Sequence, residues 1–197
     1  MQNEELDIEA LKTNEEFLNN LKTIEKEMKE ENSIAKGYQL LDAKLLLEAP
    51  ENEVNEIFTF IVNTAFDVLA EKLTKSEGFD MEVYEELATA RAIYENGIQR
   101  YSENDQKGAK EIFLILHHTM QTPELKDAMM LHACAVMAGH SFEDFIENLV
   151  DVTDVDESDP TAFFIQTFAQ PTDILLNMFA KYVKLGEDEL KVLEDSK

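Results

Sequence analysis

The side chains best suited to chemistry gather in the middle of the chain: the four histidines His117, His118, His132 and His140, and the single cysteine, Cys134. A carboxylate-bridged di-iron bundle needs a Glu three residues before a ligating His, and here those positions are all apolar. No H-E-x-x-H occurs. His117 and His132 stand on apolar helical stretches, the setting of packed, hydrogen-bonded interior histidines. Cys134 lies within "LHACAVMAG", where small neighbours suit close helix packing and supply no positive charge to draw out a thiolate. The acidic run "DVTDVDESD", from Asp151, has Asp spacing that suggests a calcium loop, but the Gly and the closing Glu of such loops are missing, so it reads as a solvated turn. There is no Gly-rich phosphate loop and no serine elbow. With 42 Asp and Glu, a carboxylate pair carries no acid–base meaning without geometry. The residues therefore predict no catalytic group, no metal and no cofactor: a protein that is not an enzyme.

Composition narrows the remaining classes. A length of 197 residues suits one domain, or a smaller domain with a helical arm. The formal net charge of -25 repels nucleic-acid phosphate and anionic membranes, leaving basic or apolar proteins as the expected partners. One cysteine excludes an internal disulfide framework, and no run of about 20 apolar residues is present to span a bilayer. The acidic start "MQNEELDIEALK" lacks the basic and apolar order of a secretory signal, so a cytoplasmic location is expected. Only 6 Gly and 4 Pro, with no Trp, predict an all-α fold.

The elements follow from apolar spacing. A capping box from Thr13 to Glu16 opens an amphipathic helix carrying Phe17, Leu21, Ile24 and Met28. Ile34, Tyr38, Leu41 and Leu45 continue the spacing until Pro50 stops it, and Val54 to Leu69 form the most apolar helix. After "SEGFD" the chain is expected to run as helix pairs. They begin near Met81, Pro123 and Pro160, with Thr122, Ser141 and Asp159 as caps, Gly139 ending one helix and Gly186 ending the last. The predicted organisation is an N-terminal helical region over 1–76, stacked hairpins over 80–186 and an acidic tail over 187–197.

The pair starts recur at intervals of about 40 residues, slightly longer than the roughly 34-residue tetratricopeptide unit. In "YENGIQRYSENDQKGAKEIF", Gly97, Ala109 and Phe113 fall at the small, small and aromatic positions of that repeat. "LHACAVMAG" and "DESDPTAFF" follow in order. This succession, over roughly 94–169, resembles the class II chaperones of type III secretion systems, the tetratricopeptide proteins that hold translocator subunits before export. The second unit departs by carrying Asp144 and Phe145 at its small position, and the third carries Thr167 there.

The resemblance implies a cytoplasmic chaperone that holds an extended client segment in a concave groove, commonly as a homodimer. It assigns Tyr94, Ile98 and Tyr101 to that groove from the first unit, Met129, Ala133 and Val136 from the second, and Phe164 and Phe168 from the third. Met and aromatic side chains suit a client holder because they adapt and give contact area at small entropy loss. The same residues would equally serve as helix–helix core. Two further readings stay open: an acidic nucleic-acid mimic that occupies basic DNA-binding proteins, and an assembly protein that dimerises through its N-terminal helices.

Overall fold

The structure, a computed structural model, describes residues 8–153, 156 and 158–195. Among these the regular elements are all helices, so the fold is all-α as the composition predicts. No described helix is long and apolar enough to cross a membrane. The chain divides into two compact units, 1–68 and 69–197. The boundary therefore falls inside a helix and not at the break expected near residue 76.

The first unit holds α1 (Ile8–Thr13), α2 (Glu15–Glu31), α3 (Ile34–Leu46) and most of α4 (Glu51–Lys75). Helix α2 starts one residue later than the capping box predicts. Asn14 is its cap, accepting the Phe17 amide at 3.0 Å, while the Thr13 hydroxyl donates back to the Ala10 carbonyl and closes α1. Asn32 ends α2 in the left-handed region at φ 52°, and Ser33 caps α3 by accepting the Lys36 amide. Leu21, Met28, Ile34, Tyr38, Leu41, Ile57, Ile61 and Ala65 form the interior of this unit. Leu45, expected on the buried stripe, is 54% exposed, and Leu40 takes a buried place instead.

The second unit is built around α5 (Tyr84–Ser102), α6 (Gln106–Thr119) and α7 (Pro123–Ala138). Helix α6 packs against both α5 and α7. Short joints at 103–105 and 120–122 make neighbouring helices run antiparallel, as two hairpins sharing α6. The expected crossing of α5 on α6 is present. A Cβ at Gly97 would lie 2.8 Å from Ile112 Cγ2 and 3.0 Å from Phe113 Cε1, so only glycine allows this approach. Ala109 is fully buried in the same layer. Before α5, Lys72 at the end of α4 donates to the Gly78 carbonyl at 2.8 Å and pairs with Glu86 at 3.0 Å, with its ammonium over the Phe79 ring. Glu86 in turn accepts the Asp80 amide, and the Phe79 amide donates to the Thr119 carbonyl at 2.7 Å. These bonds tie the 76–83 turn to the open end of the hairpin, where α5 begins and α6 ends.

Beyond α7 the hairpin pattern stops. Ser141 caps α8 (Phe142–Asn148) as predicted, accepting the Asp144 amide, but α8 has only two turns. The helix expected to open at Pro160 does not form. Asp159 accepts the Thr161 amide at 2.7 Å in a local turn, and the chain then runs without helix to Pro171. Thr, Phe and Ile dominate 161–168, types whose side chains lose rotamer freedom in a helix, and Pro171 disfavours helical backbone just before it. Phe164 and Phe168 stand four apart, an even spacing that satisfies a period of two as well as one of 3.6. An antiparallel bridge joins Val150 to Phe168.

Helices α9 (Thr172–Met178) and α10 (Ala180–Asp195) close the unit. Gly186, predicted to end a helix, lies in the middle of α10 and is buried. Its missing side chain is what lets α10 approach Leu114 of α6 and Met130 of α7, since a Cβ there would sit 2.8 Å from Leu114 Cδ2. The expected acidic tail over 187–197 is accordingly helical to Asp195, and 196–197 lie outside the described residues, as does part of the acidic run after Asp151.

Candidate functional site

The residues assigned to a groove converge on one side of the α5–α7 layer, and they are covered. Tyr94, Tyr101, Met129, Ala133, Val136 and Phe164 are each at most 3% exposed, and Ile98 and Phe168 are half-buried. The expectation of an open apolar groove is therefore corrected: these side chains form the interior of the second unit. The cover is the chain itself: segment 161–170 and α8 lie against Tyr94, Tyr101 and His132, and α9 and α10 pack on α7.

His132 of α7 is the hub. Its ring centroid lies 5.6 Å from Tyr94, 4.9 Å from Phe113, 4.7 Å from Phe145 and 6.2 Å from Phe168, in tilted or edge-on geometries that aromatic rings favour. Its Nδ1 is 2.7 Å from the Ala128 carbonyl, which only accepts, so Nδ1 carries the proton. The other nitrogen, Nε2, then accepts from the Tyr94 hydroxyl at 3.2 Å. Tyr94 in turn accepts the Ile165 amide at 3.0 Å. A relay of three hydrogen bonds thus runs from the 161–170 segment through α5 to α7, inside an apolar shell. Burial lowers the His132 pKa to about 4, so the ring is neutral at physiological pH. Burial also raises the Tyr94 phenol, opposed by the amide of Ile165.

The segment grips α5 at a second point. Phe164 stacks edge-on against Tyr94 at 5.1 Å, and Phe163 lies under the Arg91 guanidinium at 5.1 Å, one turn earlier on α5. Arg91 is held by Glu95 at 2.8 Å. At the other end the Asp151 amide donates to the Thr167 carbonyl, the Thr167 hydroxyl donates to the Asp151 carbonyl, and the Ala169 amide donates to Leu149. Tyr101 meets α8 instead: its hydroxyl donates to the His140 carbonyl at 2.9 Å, and its ring packs against Phe142 and Phe145.

A cleft of about 360 Å³ opens beside the segment, bounded by Glu124, Val150, Val152, Ala162, Phe164 and Gln166 among others. The carboxylates of Asp151, Asp156 and Asp159 stand along this region, and each accepts from the amide and hydroxyl of the Thr or Ser two residues on. Among the described residues no cluster of three or more His, Cys, Asp or Glu side chains has the geometry to hold a metal ion. His117 donates from Nδ1 to the Lys126 carbonyl at 2.8 Å. Cys134 is fully buried, and burial pushes its thiol up to about 12. Sequence reasoning placed Tyr94 and Phe164 on one surface but missed His132 as their partner. The available signal was its position, three residues after Met129 on the face already chosen.

Comparison with protein families, with characterised proteins and with solved structures finds no match to this chain.

Proposed function

We propose that this protein is a non-catalytic, protein-binding chaperone or adaptor whose second unit receives an extended client segment. The observation that carries this reading is the 161–170 segment itself. It lies non-helically over α5 and α7, with aromatic side chains set against Tyr94 and His132 and a main-chain amide received by the Tyr94 hydroxyl. Residues 161–164 form a turn closed by the Phe164 amide on the Thr161 carbonyl, and 165–168 beyond it are held as a bound peptide is: main-chain hydrogen bonds give affinity, and side-chain pockets give specificity. The resemblance to class II type III secretion chaperones supports the same reading, with the α5–α6 hairpin as a tetratricopeptide-like layer. The charge of -25 favours clients with basic or apolar segments and supports a cytoplasmic holding role.

The test is selection of displayed 12-residue peptides against the full chain, followed by titration of the synthetic winners. Enrichment of aromatic or apolar sequences, with dissociation constants in the micromolar range or tighter, is the expected result. A selection that enriches nothing, or a chain that retains only small molecules from its host, counts against the reading.

A further inference from the structure

Helix–helix contacts account for most of the second unit, but one stretch of its interior is filled in another way. Between α8 and α9 the chain has no helix. Its main-chain bonds to the rest of the unit are few: the Ile165 amide to Tyr94, the Asp151 amide to the Thr167 carbonyl and the Ala169 amide to Leu149. Of its side chains only Phe164 is fully buried, while Phe163 and Phe168 remain half-exposed. The fill is also incomplete, because the cleft of about 360 Å³ runs along its edge. A helix seated by a full apolar stripe opens only with the whole unit, whereas a segment held by one buried ring and a few bonds belongs to the low-stability end of a fold.

We infer that segment 161–170 is an internal placeholder. It occupies the surface that takes an external partner, and that partner is a non-helical peptide with two bulky apolar residues four positions apart and a Lys or Arg ahead of the first. The inference rests on the protein-binding reading above and deepens it. Phe164 and Phe168 define the apolar spacing, since one stacks on Tyr94 and the other reaches His132 and Phe145. The Tyr94 hydroxyl defines the backbone requirement: an N–H on the residue after the first ring, as Ile165 supplies. Proline at that position is therefore excluded. Glu124, Asp151, Asp156 and Asp159 around the cleft define the basic residue. The cleft wall formed by Glu124, Val150, Asp151 and Val152 remains when the segment leaves, and a bulkier partner gains contact area there that the internal segment leaves unused. It must still compete with a tethered rival whose effective concentration is in the millimolar range.

The experiment uses the full chain and a fluorescein-labelled peptide of the segment's sequence with lysine in place of its leading aspartate, KPTAFFIQTFAQP. Phe164→Ser with Phe168→Ser in the chain loosens the placeholder and leaves α5 and α7 unaltered. The inference expects this variant to bind the probe at least tenfold more tightly than the unaltered chain does, and to ignore a probe carrying the same two serines. Hydrogen exchange on the unaltered chain gives a second readout that does not depend on the variant folding. The amides of Ile165 and Ala169 should exchange at least tenfold faster than those of Leu131 and Cys134 in α7, through an opening smaller than global unfolding. Equal protection of both sets overturns the inference, as does a folded variant that binds the probe no better than the unaltered chain. A dimer in which the segment crosses to a second copy, detected by light scattering, also overturns it. A selected peptide that binds tightly while the Ile165 amide stays protected overturns the placeholder and leaves the protein-binding reading standing. Failure of every peptide on both chains removes both.

Discussion

The Tyr94 hydroxyl donates to His132 Nε2 at 3.2 Å while accepting the Ile165 amide, so one phenol oxygen joins α5, α7 and the segment that covers them. Tyr94 and His132 are buried, and the bond from Ile165 is part-buried. Tyr94→Phe keeps the ring and its stacking but strands the Ile165 N–H and the His132 nitrogen. A loss of roughly 1–3 kcal/mol is expected from leaving such groups unpaired. Urea denaturation followed by circular dichroism checks it, and an unchanged midpoint would show that the relay contributes nothing.

The same histidine gives stability a pH dependence of known sign. In the unfolded chain it titrates near 6.5, and in the folded one burial lowers it to about 4. Between these values the unfolded state binds the extra proton. The contribution is fully present above pH 6.5, declines as pH falls, and is lost by about pH 4. The span corresponds to about 3 kcal/mol. Burial lowers His117 in the same direction. Because many carboxylates titrate in this range and relieve the chain's excess negative charge, the comparison is with His132→Gln. That variant should lose less stability than the unaltered chain between pH 6.5 and 4.5, as read from denaturant midpoints at each pH.

Gly97→Ala tests the hairpin crossing. Alanine favours the helix by about 1 kcal/mol over glycine, yet its Cβ would meet Ile112 at 2.8 Å and Phe113 at 3.0 Å. Phe113 is itself fully buried against Tyr94, Tyr101 and His132, which leaves it little room to retreat. Overpacking of roughly 1–3 kcal/mol should outweigh the helical gain, giving a lower thermal midpoint. A higher midpoint would mean that α5 and α6 separate without loss.

This crossing was legible before any coordinates because a glycine, an alanine and an aromatic at fixed spacing have one economical use in a helix pair. The caps at Ser141 and Gly139 were legible for the same reason: each is a local rule obeyed locally. The surface assignment failed where a rule has two solutions. A face of Tyr, Met and Phe is identical in sequence whether it meets a client or its own chain. Pro160 after Asp159 fits a helix start and a turn equally well. What decided between them was the β-branched and aromatic content of 161–168, together with the distant partners Tyr94 and Leu149, which no local pattern contains. Gly186 was misread because a glycine that ends a helix and one that admits a neighbour look alike until the neighbour is known.

Cys134 should be silent in the folded protein. It is fully buried and its thiol is pushed up to about 12, so almost no thiolate exists at neutral pH. Iodoacetamide at pH 8 should leave the native chain unlabelled over hours and label it completely in denaturant, with mass spectrometry as the readout. Rapid native labelling would mean that α7 opens on its own.

The packing of α10 through Gly186 has a consequence for synthesis. Leu114 and Met130, the side chains that α10 covers, are made well before it, so the nascent α6–α7 layer must wait with that apolar face bare. The interval, residues 139–179, carries nine acidic residues and no Lys or Arg. The growing chain thus carries its own repulsive guard against premature association until α10 arrives to seal the layer.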